Sequence, residues 1–488
     1  MKKVMLGFLV AILMSECKCI ALTIYKDTLA YKIVEWKVPD GTVVAVEVVK
    51  NTSDYKGHII VPAQITYQEQ TYDVVGIGTN AFYGCKDLAS VELPDGIHYI
   101  KDRAFTNCTS LKTINIPNSI SSVGKEVFDG CDSLPVINGL RYADTYLIGV
   151  TDTTNSYTTY TIKDDTRWIG YRAFALCKDM ESISLPNTVR YISKEAFYFT
   201  KLKSITLPDS LSYIGEDAFA SCDSIKEITI PKYLDSVDRH PFELCKSLNK
   251  VNYNAINCTM IDFYGSFGFN NAEEITIGEE VKVIPQYLCA SSKIKEITFP
   301  NSVEILKVGA LLRCNSLRKI TLPSNLKEIE EAVFSYNKNI DTIICLSEIP
   351  PYTYEFTFNP PGEYVFPFGA VTLIVPCGAG DNYKNAHGKW SWSKCNIVED
   401  CEESGIEDIV ACNNTISFYP NPAKEKVTLD LGNLKLGKNE EISIYNSTGQ
   451  VVDKSNINTK KSTIDVSSLE SGVYYIKIGN ITKKLIIK

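Results

Sequence analysis

A phenylalanine returns along this chain at a nearly fixed interval, and the interval dictates what the chain can become. The stretch Ile100–Leu111 (IKDRAFTNCTSL) reappears as VGKEVFDGCDSL from Val123, IGYRAFALCKDM from Ile169, IGEDAFASCDSI from Ile214 and VDRHPFELCKSL from Val237. The aromatic of this frame falls at Phe82, Phe105, Phe128, Phe174, Phe197, Phe219 and Phe242, and Cys289, Leu311 and Phe334 stand in the same slot. The steps are 23, 23, 46, 23, 22, 23, 47, 22 and 23 residues. Such a ruler belongs to a stack of coils.

One coil cannot bury its own apolar side. Ile100, Ala104, Phe105, Cys108, Leu111, Ile114 and Ile116 recur in register, so neighbouring coils must cover each other and one core is expected along the stack. The LxxIxLP segment reads as a strand with alternate residues pointing inward, closed by Pro117 where no further ladder donor is needed. The expected fold is a leucine-rich-repeat solenoid, mostly β, of about twelve coils over 76–344, curved with a parallel sheet on its concave face. The long steps hold degenerate coils at 140–166 and 252–284; Leu140–Thr166 reads as a hairpin-like excursion.

The motif IxxxAFxxCxxLxxIxLPxxLxxI resembles the BspA-like (Treponema pallidum type) leucine-rich repeats of bacterial surface proteins. That resemblance covers roughly 70–345 and implies a binding role, adhesion to host proteins or glycoproteins, for an unidentified host partner.

Lys2, Lys3, the apolar run Val4–Met14 and the Cys19-Ile20-Ala21 ending read as a signal peptide, residues 1–21, and the run is too short to span a bilayer. Residues 22–75, with alternating LAYKIVEWKV and TVVAVEVVK about a Pro39-Asp40-Gly41 turn, form an N-terminal β cap. Residues 345–400 are the matching C-terminal cap. There Trp390, Trp392 and Tyr383 either seal the last coil or offer a sugar platform. A linker follows at 401–414.

Residues 415–488 read as a small β-sandwich of six or seven strands. Tyr419-Pro420-Asn421-Pro422, Gly449, Gly472 and Tyr474 carry a resemblance to the type A C-terminal sorting domain of the type IX secretion system. The resemblance implies a Bacteroidota source, handling by the type IX machinery, removal of the domain, and a product attached to the outer-membrane surface or released. An ordinary adhesion sandwich is the alternative.

The formal net charge of −8 becomes −10 without residues 1–21, which hold three Lys and one Glu. With no basic stripe, nucleic acid is excluded as a partner. Sixteen Cys would suggest disulfides in an exported chain. Seven, however, share one repeat slot (Cys85, Cys108, Cys131, Cys177, Cys222, Cys245, Cys314), where Thr200 and Ser292 also occur. The slot therefore reads as a column of small buried groups, with serial bridges the alternative, and Cys377, Cys395, Cys401 and Cys412 are the better bridge candidates. Four scattered His and the absence of nucleophile-elbow, phosphate-loop or dinucleotide motifs argue against an enzyme, a metal site or a cofactor.

Two columns remain as candidate surfaces. The outward positions of the LxxIxLP strands carry Ser, Thr, Asn, Glu and Lys without aromatics. The residue before the IG or VG pair gives Tyr99, Trp168, Tyr191 and Tyr213. These four are the candidate binding stripe, able to hold a glycan or anchor a protein; half-buried ring packing between turns is the alternative. Protease shaving of intact cells, with mapping of the released peptides, is expected to recover repeat peptides and none from 415–488. A surface form that keeps those residues throughout contradicts the sorting reading.

Overall fold

The computed structural model describes residues 23–39, 41–152, 157–260, 265–354, 356–358, 366–386 and 392–401, together with 417–419, 423–430, 440–446, 450–457, 459, 461–478 and 481–487. The signal peptide, Trp390, Cys412, Pro420–Pro422 and Gly449 lie outside them. The chain divides into two compact units, Met1–Cys401 and Glu402–Lys488.

In the first unit, Leu29–Val38 pairs antiparallel with Gly41–Val49 along its length, and Gly41–Val49 pairs parallel with Gln70–Ile77. Gly76 and Ile77 then pair with Tyr99 and Ile100, so the cap hands its hydrogen-bonding edge to the first coils. The Tyr55 ring covers Phe82 at 4.7 Å and closes the end of the aromatic column.

Two parallel ladders join successive coils, each in several runs. One is the expected LxxIxLP strand, for example Glu227–Ile230 on Lys250–Tyr253 and Lys319–Leu322 on Thr342–Cys345. Its burial alternates as the sequence predicts: Glu227 and Thr229 face out, Ile228 and Ile230 in. The other is a two-residue strand that begins at the stripe position before the IG or VG pair. It runs Trp168–Ile169, Tyr191–Ile192, Tyr213–Ile214, Ser236–Val237, Thr259–Met260.

Between these strands the chain turns about the aromatic slot. Phe174, Phe197, Phe219 and Phe242 stack at 5.1–5.3 Å with interplanar angles of 3–6°. The backbone N–H two residues before the aromatic, at it, and two residues after it donates to carbonyls of the next coil: Arg103 to Lys125, Phe105 to Val127, Asn107 to Asp129. The two flanking residues have positive φ in coil after coil, as at Arg103 and Asn107, Glu195 and Phe199, Asp217 and Ser221. That conformation costs a non-glycine residue about 1 kcal/mol, which the inter-coil hydrogen bond offsets.

The cysteine slot has a task beyond filling space. The Sγ–H of Cys108, Cys131, Cys222 and Cys245 donates to the carbonyl of the aromatic in the preceding coil, Phe82, Phe105, Phe197 and Phe219, at 3.0–3.1 Å. Burial pushes the Cys222 thiol up to about 11, so it stays protonated and keeps its donor. Asn337 occupies the same slot and serves the Leu311 carbonyl through its amide at 2.7 Å. All these cysteines are free, whereas Cys377 and Cys401 form a disulfide and Cys395 is buried and free.

Both irregular stretches carry ladder strands where they are described. Leu140–Ala143 and Tyr146–Val150 do form a hairpin, yet Tyr146 and Leu147 pair with Trp168 and Ile169 in the ordinary register. Thr259–Met260 likewise continues the second ladder. The single core expected from the sequence is instead two clusters that meet at the first irregular coil, one from Ile24 to Trp168 and one from Leu140 to Cys395.

At the C-terminal end Trp392 is 1% exposed, its indole N–H donates to Pro351 O at 3.4 Å, and the buried Tyr383 donates to Ser347 O at 2.9 Å. These two rings seal the stack and offer no sugar platform. The second unit is an antiparallel sandwich. Ser417–Tyr419, Lys426–Asp430 and Lys461–Asp465 form one sheet; Val451–Ile457, Glu440–Tyr445, Gly472–Ile478 and Ile481–Ile487 form the other. Val427, Leu429, Ile442, Ile444, Ile476 and Leu485 fill the space between.

Cys222→Ala is expected to destabilise by about 1–3 kcal/mol by leaving Phe197 O buried without a donor, Cys222→Ser by less. Phe219→Ala should lose about 3–5 kcal/mol. Urea unfolding of the mature chain checks the order; a Cys222→Ala midpoint equal to the parent's contradicts the donor role.

Candidate ligand-binding cleft

The first irregular coil interrupts the stack. Among the described residues, no backbone hydrogen bond joins Ser122–Val123 to Tyr146–Val150, although the ladder is paired on both sides, at Tyr99–Ile100 with Ser122–Val123 and at Tyr146–Leu147 with Trp168–Ile169. Side chains bridge the gap instead. Asp144 Oδ2 accepts from Ile116 N at 2.8 Å, Arg167 donates to Asn118 Oδ1 at 2.7 Å, and Arg141 donates to the carbonyls of Asp132 and Leu134. The Phe128 and Tyr146 rings meet at 5.4 Å.

The interruption lets one half-stack lean over the other. Lys125 and Glu216 occupy the same position of coils four steps apart, which a straight stack would separate by about 19 Å. Here Lys125 Nζ lies 4.0 Å from Glu216 Oε2. Glu216 also receives Lys194 at 2.5 Å and Arg239 at 2.6–2.7 Å. Burial pushes its carboxyl up, but hydrogen bonds from Lys194 and Arg239 outweigh this and hold it below the usual range.

The angle between the halves is a cleft of about 700 Å³. Ser121–Lys125 lines one wall; Trp168, Tyr191, Tyr213, Arg190, Ser212 and Asp238 line the other. Within it the four stripe residues differ. Trp168 is 2% exposed, stacks on Tyr191 at 3.8 Å, and its indole N–H finds no acceptor among the described residues. Tyr191 is half-buried and open to the cleft. Tyr213 is half-buried with its hydroxyl 3.5 Å from Asp238, and burial followed by Asp238 raises its pKa.

Tyr99 is on the other side of the break. Its ring lies where a Cβ on Gly76 would sit, so only glycine fits beneath it. Its hydroxyl donates to the buried Glu47 at 3.0 Å, which also receives Lys101 at 2.6 Å. The half-buried Trp36 stacks on His98 at 5.0 Å and tilts against Tyr99 at 5.5 Å. These rings belong to a second groove of about 680 Å³ that shares Asp102, Ser121, Ser122 and Gly124 with the cleft. The structure thus brings Trp168, Tyr191 and Tyr213 together and leaves Tyr99 apart.

Tyr146, Trp36 and His98 were missed from sequence. The 46-residue step, two periods long, was the available sign that Tyr146 fills the column. The expected strand-face columns are occupied by their own polar pairs, such as Asn252 with Glu227 and Thr229. Cys377, Glu399 and Cys401 bring metal-type groups together, but the sulfurs are bonded to each other and Glu399 accepts from Gly378 and Gly380 N–H.

Residues 63–142, 152–265 and 263–359 match the profile of the BspA type leucine rich repeat region, in 6 copies. The chain belongs to the BspA-type leucine-rich-repeat family. Residues 417–488 match the secretion system C-terminal sorting domain, which marks this BspA-type chain for the cell surface or the extracellular space through the type IX machinery. Neither profile is catalytic.

A leucine rich cell surface protein of Faecalibacterium prausnitzii is similar at 22% identity over 67% of this chain and 96% of that one, with a TM-score of 0.29. A leucine-rich repeat protein of Bacteroides ovatus is similar at 24% identity over 64% and 92%, with a TM-score of 0.27. The beta-agarase A of Zobellia galactanivorans is 35% identical over 83 residues, 17% of this chain, and the BspA-type chain spans only 15% of that curated relative's length. Among the described residues no helix is long and apolar enough to cross a membrane.

With its carboxyl held low by the bases around it, Glu216 stabilises the joint at neutral pH. That contribution is lost as pH falls below the ordinary carboxylate range. The thermal midpoint of the parent is therefore expected to fall more between pH 6 and pH 3 than that of Glu216→Gln; equal falls contradict it.

Proposed function

We propose that this exported chain is a surface binding protein that adheres to host proteins or glycoproteins by holding a glycan in the cleft between its two half-stacks. The observation that carries the reading is the composition of that cleft. Half-buried Tyr191 and Tyr213 offer ring faces, Ser122, Ser212 and Ser236 offer hydroxyls, and Asp102, Asp235, Asp238 and Arg190 offer charged hydrogen-bonding groups, in about 700 Å³. Ring faces receive the apolar side of a sugar while polar neighbours bond its hydroxyls, and the volume is that of a small-ligand site. A flat protein interface would draw instead on exposed aromatic anchors.

The same chemistry suits a surface protein that captures polysaccharide, and the source of the bound glycan separates the two readings. The mature chain is expected to be retained by glycosylated matrix proteins and on a glycan array, and to lose that retention when the proteins are deglycosylated. Tyr191→Ala/Tyr213→Ala should weaken binding roughly thirty-fold, the effect of losing about 2 kcal/mol of anchor contact, with Arg190→Ala as a variant in an exposed position. Retention only by polysaccharide supports capture. Retention by neither, or a double variant that binds like the parent, overturns the proposal.

A further inference from the structure

We infer that the cleft and the Trp36 groove form one trough for a linear, unbranched, uncharged glycan chain, bound along its length and not by its terminal sugar. This rests on the glycan reading above and adds a second site to it. The two concavities are not separate features, because Asp102, Ser121, Ser122 and Gly124 line both. A chain that rests on Tyr191 and Tyr213 and passes the small side chains of Ser121 and Ser122 meets Trp36 and His98 next.

Size favours passage at that point. The ladder position holds Tyr99, then Ser122, then the buried Tyr146 and Trp168, so at Ser121 and Ser122 the ground between the two aromatic platforms is low and hydroxylated. Both ends are partly exposed rings braced from behind. Trp36 is backed by His98 and Tyr99, and Tyr191 by Trp168 at 3.8 Å. A braced ring loses little freedom when a sugar stacks on it.

Charge selects against an anionic chain. Asp102, Asp235, Asp238 and Glu216 face Lys125, Arg190 and Lys194 in the cleft, and Lys32 and Lys101 face Glu35 in the groove. Glu216 is already neutralised by Lys194 and Arg239. No unbalanced positive field is left to draw sulfate or carboxylate groups.

Size-graded oligosaccharides of poly-N-acetyllactosamine and of mixed-linkage β-glucan, from disaccharide to decasaccharide, test this by calorimetry on the mature chain. Affinity is expected to rise roughly ten-fold once the oligomer reaches both platforms, the gain of one added stacking contact. Trp36→Ala, and independently Lys32→Ala/Glu35→Ala on the exposed groove wall, should abolish that rise and leave disaccharide affinity unchanged. Tyr191→Ala/Tyr213→Ala should weaken every length. An affinity independent of length, a rise that survives both groove variants, or preference for sulfated or sialylated chains overturns the trough while leaving the glycan reading intact. Binding of extended peptides with no oligosaccharide bound at any length overturns both.

Discussion

A coil in this protein has no inside of its own; it acquires one only when the next coil is laid on it. The alternating N–H donors around the aromatic slot reach forward to the next coil, as Arg103, Phe105 and Asn107 do. The thiol slot reaches back, as Cys222 does to Phe197 O. Ring stacking and these two sets of hydrogen bonds share one spacing of about 5 Å, so the apolar and polar demands of a coil are met by the same displacement. The caps follow from this, since the first and last coils would otherwise present an open core. Tyr55 and the Leu29–Val49 hairpin serve one end; Tyr383, Trp392 and the Cys377–Cys401 bridge serve the other.

A structure built on that dependence is altered most by a place where the forward contacts lapse. Between Ser122–Val123 and Tyr146–Val150 the backbone ladder is absent, and Asp144, Arg167 and Arg141 connect the halves by side chains. The halves are then free to meet at an angle, and the angle becomes concave ground. Lys125 with Glu216 fixes how far it closes. Tyr146 and Trp168 fill the apex, which is why Trp168 is buried while its stacking partner Tyr191 remains open. The half-buried packing foreseen for the stripe and its candidacy as a contact surface thus fall to different members of one column.

Much of this was legible in the residues. The period fixed the stack, the alternation in segments such as Glu227–Ile230 fixed which side chains face out, and the short-stranded β character of the C-terminal unit was visible from its turns. What escaped was long-range or disguised. The left-handed positions hold residues such as Arg103, Glu126, Leu176 and Phe199 more often than Gly or Asn, because inter-coil hydrogen bonds and not residue preference support them. Asn337 hid the cysteine slot by meeting the same need with an amide. The joint was invisible for a deeper reason. Nothing in the local sequence states that Lys125 will approach a carboxylate four coils away, since this follows from hydrogen bonds that are not made.

The angle between the half-stacks is therefore the feature on which the functional reading turns. Zero-length carbodiimide cross-linking of the mature chain, followed by peptide mapping, measures it directly. A Lys125–Glu216 isopeptide alongside the Lys194–Glu216 product is the expected result. Lys194–Glu216 alone, with Lys125 unlinked, would mean a straight stack without the cleft.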